Sequence, residues 1–537
     1  MPNIAPNSTV RLLSNCPLDK TYDHTIYFAS RSAQTTYFQG LTKSGMVFGA
    51  NSYTRKDRGL KIQAPVGTTL YDCNYIMFKN TDFENKWFYA FITRVEYINN
   101  LTWEVDIEID DMQTWMFDYE VEKCFVEREH SETDELFENL VPEKLETGEY
   151  ISNGITRCSN NDIDTGSSTA SILSDYSLVF ACTFNRNYAD YHGGVYTGLY
   201  SGLCLIDFPF PSAMTTANIN TFVTNVRNWV DGAVQQGKTN GFMSAFVMPT
   251  NLIHSDTSPA TTEGFTKTAT FNNIDGYTPK NKKLFSYPYN FLYVTNFEGQ
   301  SASYMFEYFD TPTSMGFSLE SVYCPIPEVI LSPLNYKGSS LQNYDERMVI
   351  GKYPQLPFAT DTWQAWMSMD ASGQILSAVG RAGAGALIGS IVPGVGTVAG
   401  AVAGGLAGIV SSIGGMLGQY YEKDIAPPQN QGSTAGSYGM CANKLIDFGF
   451  MHKHIRAEFA EIIDDYFNMF GYATHKCKVP NTHVRPHWTY TKTVGCCIVG
   501  SIPADSARHI CQIYDKGITF WKNGSEVGHY ELDNRPT

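Results

Sequence analysis

Leu101–Ile109 reads LTWEVDIEI, and its alternation decides the fold class. Trp103, Val105, Ile107 and Ile109 fall on one side of an extended chain; Glu104, Asp106, Glu108 and Asp110 fall on the other. Successive side chains of a strand point to opposite faces, so this is a strand with one packed face and one wet face. Two aromatic and β-branched runs precede it, Cys73–Phe78 (CNYIMF) and Lys86–Ile92 (KWFYAFI), between Asn- and Asp-rich turns. The expected fold is mainly β with α+β parts.

Beyond the strand, Asp118, Glu120 and Glu122 repeat the pattern against Tyr119 and Val121. Adjacent like charges cost a sheet stability, so seven carboxylates on two successive outward strand faces ask for a functional reason. The surrounding stretch 101–150 holds 17 acidic and three basic residues, against a formal charge of −16 for all 537 residues. One acidic region needs explaining, not an acidic protein. That balance argues against binding nucleic acid through a basic surface. Aromatics at 14% favour strands, and the length suggests three or four domains. No secretory leader is expected, and the twelve cysteines, without a CxxC pair, fit reduced thiols made in a cytoplasm.

Further along, Ile219, Phe222, Val223, Val226, Trp229, Val230 and Ala233 have helical spacing. Strands are expected around Tyr287–Phe297 and Tyr304–Tyr323, with a boundary at Pro325, Pro327 and Pro333. Asp361 can cap a helix beginning TWQAWMSM. Near the end, Phe459, Ile462, Ile463, Tyr466, Phe467 and Phe470 form a helical face stopped by Gly471. Strand-like HWTYTKTVGCCIVG (487–500), a helix around Asp505–Tyr514 and the strand ITFW follow. The expected segments are 1–150, a β domain; 151–285, a Ser/Thr/Asn-rich insert; 286–370, a second β-rich region; 371–425, an apolar loop; and 426–537, an α+β part.

The apolar loop is the strongest signal. Ala382–Tyr421 is 40 residues without a charge, and 14 of the 46 residues from Gly373 to Gly418 are glycine. A membrane span needs about 20 apolar residues, so two arms fit, with Gly385 and Gly389 on the first and Pro393-Gly394 at a hairpin turn. Gly396, Gly400, Gly404 and Gly408 form an i, i+4 ladder of the kind on which membrane helices approach closely. Leu406, Ile409, Val410 and Ile413 supply bulk. In water so many glycines make a poor helix; in a bilayer the backbone must bond internally and helix is enforced. The segment reads as a membrane-active element, packed away or disordered in one state and helical in membrane.

Catalytic and metal patterns give little. There is no Walker loop, HExxH or GxSxG. Gly394–Ala399 matches GxGxxA, but no strand precedes it. Asn160, Asp162 and Asp164 open like a calcium loop, but position 12 is Ser171, so a solvated turn is expected. His475, Cys477, His483 and His487, with His452, His454 and Cys496-Cys497 nearby, match no common zinc module and read as ordinary strand and loop residues. No cofactor is expected.

Several segments together carry a resemblance. NYIMFKN, NKWFYAFITRVEY, VDIEIDDMQTWMFD and FVEREH (Asn74–His130), SYPYNFLYVTNFEGQ (from Ser286) and KGITFW (Lys516–Trp521) resemble the tail-knob, or distal tail-tube, proteins of small short-tailed phages infecting Gram-positive bacteria. The resemblance spans most of the chain, weakest over 135–280. It implies tail-tube-like β-barrel domains forming a homo-hexameric ring at the tail tip of a virion, from a protein synthesised in the host bacterial cytoplasm. It implies no enzyme. The neighbours would be other tail tube and collar proteins and a tail-tip wall-degrading protein. Apolar loops would plug the channel, then enter the host cell membrane while double-stranded DNA passes. Glu104, Asp106, Glu108 and Asp110 would then suit the channel wall, since carboxylates repel phosphates where lysines would hold them. A secreted pore-forming toxin would need export, and a wall-degrading or receptor-binding tail enzyme would need a carboxylate pair in a cleft.

Overall fold

The computed structural model describes residues 8–51, 53–54, 59–63, 67–81, 84–100, 102–158, 176–184, 195–196, 199–200, 204–211, 216–238, 241–249, 263–322, 328–338, 346–353, 355–356 and 448–536. The apolar element Ala382–Tyr421, the helix after Asp361, Pro325 and Pro327, and Asn160, Asp162 and Asp164 lie outside them. No described helix is long and apolar enough to cross a membrane. The chain divides into two units: Met1–Glu149 with Asn272–Tyr289 and Ile455–Thr537, and Tyr150–Phe271 with Asn290–His454.

In the first unit the strands up to residue 130 are β1 (Ser8–Ser14), β2 (His24–Ile26), β3 (Thr42–Asn51), β4 (Tyr53–Thr54), β5 (Gly59–Gln63), β6 (Cys73–Asn80), β7 (Trp87–Asn99), β8 (Thr102–Ile109), β9 (Tyr119–Val121) and β10 (Cys124–Glu129). Seven of them make an antiparallel sheet in the order β3-β1-β6-β7-β8-β5-β4. The three runs read from the sequence are its centre, β6-β7-β8.

Both faces of the sheet are used. One buries Val10, Leu12, Met46, Ile62, Ile76, Trp103, Val105 and Ile107 in a core of its own. Met46 of β3 and Ile62 of β5 meet there, so the sheet curls over its own side chains. The other face sends Leu13, Tyr75, Met77, Tyr89 and Phe91 against two helices, α1 (Arg31–Gly40, through Phe38) and α2 (Asp111–Trp115, through Met112). Ile510, Ile513 and Tyr514 of the Ala504–Lys516 helix complete that core. The expected barrel is not closed among the described residues: β3 and β4 are the two ends of the sheet and do not pair. The curl comes from burying one face, and no ladder seals the seam.

A second sheet runs β2, Ile518–Trp521, Trp488–Val494, β10, Tyr472–Lys478. It joins the beginning and the end of the sequence. The strand-like run 487–500 splits at Gly495, whose φ of +68° turns the chain, and Ile498–Gly500 pairs with β9.

The second unit has three larger described sheets. Asn290–Thr295 pairs with Phe448–His454 and with Ser301–Tyr304. Tyr176–Cys182 pairs with Cys204–Pro209 and Phe242–Pro249. Against these lies α3 (Thr216–Gln235), where the helical spacing read from the sequence holds; its buried Trp229 packs on Phe180, Phe208 and Phe242. Ser314–Val322 pairs with Glu263–Thr268 and Glu328–Leu334. The run expected at Tyr304–Tyr323 is interrupted by a 3-10 turn, Phe306–Tyr308.

Candidate functional site

The register of β8 sets the acidic face. Arg94, Glu96 and Phe91 of β7 stand opposite Asp106, Glu104 and Glu108. On the other flank, β5 brings Lys61 into register with Glu104. Trp103, Val105 and Ile107 point away into the sheet's own core. Glu104, Asp106 and Glu108 are therefore left half-exposed on one face, as the alternation predicts.

That face has its own counter-charge. Arg94 Nε donates to Asp106 Oδ2 at 2.7 Å, and its Nη1 donates to Glu96 Oε2 at 2.6 Å. Glu96 sits directly opposite Glu104, a repulsive cross-strand pair. The Arg94 guanidinium, shared by Asp106 and Glu96, offsets part of that cost and leaves the β7–β8 face net negative.

Asp110 is not on the face. It is 1% exposed and stands at the start of α2 as its cap. Its Oδ1 accepts the Gln113 N–H at 3.0 Å, and Tyr75 donates its hydroxyl to Oδ2 at 2.8 Å. Burial pushes this carboxyl up to about 6. Alternation stops where a helix begins, because the first N–H groups of a helix need an acceptor. The Asp110-x-x-Gln113 spacing is the local signal that separates Asp110 from the other three.

Asp118, Glu120 and Glu122 do not extend the face either. Glu120 lies in β9, flanked by Asp118 and Glu122, and β9 pairs with Ile498–Gly500 in a separate two-stranded sheet. Asp118 is held by Lys86 at 2.8 Å and by Arg31.

Four carboxylates of the acidic stretch are paired with lysines far along the chain. Glu127 meets Lys492 at 2.9 Å, Glu129 pairs with Lys478, and Glu135 meets Lys282 at 3.0 Å. Glu143 pairs with both Arg128 and Lys283. Lys283 is buried, and burial pushes its ammonium down to about 7. Asp134 accepts the Lys282 N–H at 2.9 Å and the Tyr472 hydroxyl at 2.7 Å.

Beside this cluster Asp464, fully buried, accepts from the Tyr277 hydroxyl, the Lys280 and Asn281 N–H groups and the Asn281 side-chain amide, all at 2.6–3.0 Å. These groups fasten Asn272–Tyr289 into the first unit. Sequence reading missed them, since each half of the network is ordinary until its partner is known.

The histidines near the end are engaged singly. His487 Nδ1 is 2.8 Å from Glu526, His483 stacks on Tyr27, and His452 Nε2 is 2.5 Å from Asn290 Oδ1. Among the described residues no group of His, Cys, Asp and Glu is gathered as a metal would need.

A family model described as "Bacillus phage phi29, Tail knob protein gp9, C-terminal domain" matches residues 254–535, more than half of the chain. The chain belongs to the tail knob protein family. Residues 6–120 match a second model, "Caudoviral major tail protein N-terminus", which covers the curled sheet and the acidic face. Tail knob protein gp9 of Bacillus phage B103 is 25% identical over 98% of both chains, and that of Bacillus phage phi29 is 24% identical over the same shares. The structure of the bacteriophage C1 tail knob protein, gp12, superposes with a TM-score of 0.56 over 97% of each chain at 12% identity, a likeness of fold. The protein is thus a structural component of a virion tail, made in the host cytoplasm.

Proposed function

We propose that this tail knob protein forms the distal channel through which the genome leaves the virion. Glu104, Asp106 and Glu108 line the channel, and the element Ala382–Tyr421 plugs it and then enters the host membrane. The observation that carries the reading is the β8 face: three half-exposed carboxylates backed by a packed core, in the region that matches a major tail protein. A conduit must not bind its cargo. Arginines or lysines on such a wall would exchange for the counterions of DNA and hold it, whereas carboxylates keep phosphates at a distance. Ring closure repeats each carboxylate once per subunit, which strengthens the field inside a low-dielectric wall.

The homo-hexamer, the tail tube, collar and wall-degrading neighbours, and the passive, non-enzymatic role follow from the family resemblance. Among the described residues the sheet ends at β3 and β4, which supports assembly, since pairing between subunits would satisfy edge strands. The segment Ala382–Tyr421 is apolar over a length that fits two spans, with its glycine ladder on the second arm. Electron micrographs of the purified protein test the ring: rings with a central channel are expected. A monomer-sized species by light scattering at high concentration would contradict them.

A further inference from the structure

Five of the eight described free cysteines gather in one place: Cys124, Cys477, Cys496, Cys497 and Cys511. β10 sets Phe125 in register with both Cys477 and Val494, so Cys124 sits beside the turn that follows Val494. That turn carries Cys496 and Cys497, and the Ala504–Lys516 helix lies along it. Cys511 and Asp515 stand one turn apart on one side of the helix.

Asp515 grips the turn. Asp515 Oδ1 accepts the Cys496 N–H at 3.0 Å and the Thr493 hydroxyl at 2.8 Å. Cys511 lies one turn before Asp515, so the Asp515–Cys496 bond brings Cys496 to the helix face that carries Cys511, where the two thiols influence each other's ionisation. The Asp515 anchor thus holds Cys496 against the turn of helix that carries Cys511.

We propose that Cys496 and Cys511 are a dithiol that closes to a disulfide once the virion leaves the host, locking the Ala504–Lys516 helix to the β10 sheet. The chain is made in a cytoplasm, where thiols stay reduced, and acts outside it. The oxidant is a small-molecule disulfide. One thiolate attacks it and expels one small thiol; the second thiolate attacks the mixed disulfide and expels the other. The protein loses two S–H bonds and gains one S–S bond, and the small disulfide is reduced to two thiols. Cys496 and Cys511 are both partly exposed, whereas Cys124 is 4% exposed and out of reach of the oxidant. Cys497, also exposed, is held beside Glu122 instead, its carbonyl accepting the Glu122 N–H at 2.8 Å. Burial raises the Cys496 thiol, so closure is slow and the pair survives synthesis as thiols.

The test uses the full-length protein treated with oxidised glutathione, then alkylated and digested with trypsin. Cleavage after Lys492, Arg508 and Lys516 separates Cys496 from Cys511. A linked pair of peptides, 493–508 with 509–516, is expected, together with a rise in melting temperature that reductant reverses. Cys496→Ser and Cys511→Ser should each abolish the link and the rise; Cys497→Ser should keep both. Oxidised protein without the linked pair, with glutathione left on Cys477 or Cys497, would overturn the proposal. So would a link that survives Cys496→Ser.

Discussion

Replacing Asp464 by alanine should destabilise the first unit by about 3–4 kcal/mol. Its carboxylate is the acceptor for four donors on Tyr277, Lys280 and Asn281. The Asn281 N–H and one hydrogen of its side-chain amide are buried and would be stranded, at about 1–3 kcal/mol each, while the amide keeps its bond to the Asp464 backbone carbonyl at 3.1 Å. Tyr277 and Lys280 reach solvent in part and would exchange their bonds for water, at about 0.5–1 kcal/mol each. Burial holds the Asp464 carboxyl above its ordinary range, so deleting it also removes a desolvation cost, and the estimate is taken from the lower part of the sum. Asp464→Asn should fare little better, because its new amide donors face donors. Urea melts give the stability change. Limited trypsin digestion gives its location, because Lys280, Lys282 and Lys283 lie in the fastened segment and should become early cleavage sites. A variant within about 0.5 kcal/mol of the parent, with cleavage unchanged, would refute the idea that this network fastens Asn272–Tyr289.

Gly471 ends the Ala457–Phe470 helix at φ +65°, and an added Cβ would lie 2.2 Å from the Glu129 carbonyl oxygen; Gly471→Ala should cost more than about 2 kcal/mol and lower soluble yield. Asp110 has a folded-state value raised to about 6, so the group favours the folded state most below pH 4, and this contribution is lost as pH climbs from about 4 to 6. Asp110→Asn, which keeps a capping oxygen, should flatten that part of the stability profile by about 2–3 kcal/mol in chemical melts from pH 4 to 7. Deleting 382–421 should leave a soluble assembly that no longer releases dye from liposomes; undiminished release would reassign the segment to a purely structural plug.

What could be read from the sequence was local. LTWEVDIEI declares its own two faces, and Gly471 its own helix stop, because neither depends on a distant partner. Asp110 was misplaced on the acidic face because a helix cap overrides alternation one residue past the strand. Ile462 was placed on the packed helical face yet is 67% exposed, while Asp464 and Asn468 of the same helix are buried. A polar side chain goes inside only when its donors wait there, and those of Asp464 come from 277–281. The acidity of 101–150 has the same explanation. Part of it answers Lys283, Lys478 and Lys492, which no window of sequence near residue 130 contains. The three carboxylates of β8 answer none of those lysines, Asp106 meeting Arg94 of the neighbouring strand instead, and that narrows the conduit reading to fewer residues than the charge count suggested.

The account's central claim is that these three carboxylates line the path of the genome. Its most direct test is the rate of DNA ejection from particles carrying Glu104→Lys, Asp106→Lys and Glu108→Lys together, with tail assembly checked by microscopy. Slowed or stalled ejection, relieved by added salt as phosphate contacts are screened, is the predicted result. Ejection at the parent rate from fully assembled particles, with the lysines located inside the channel, would contradict it.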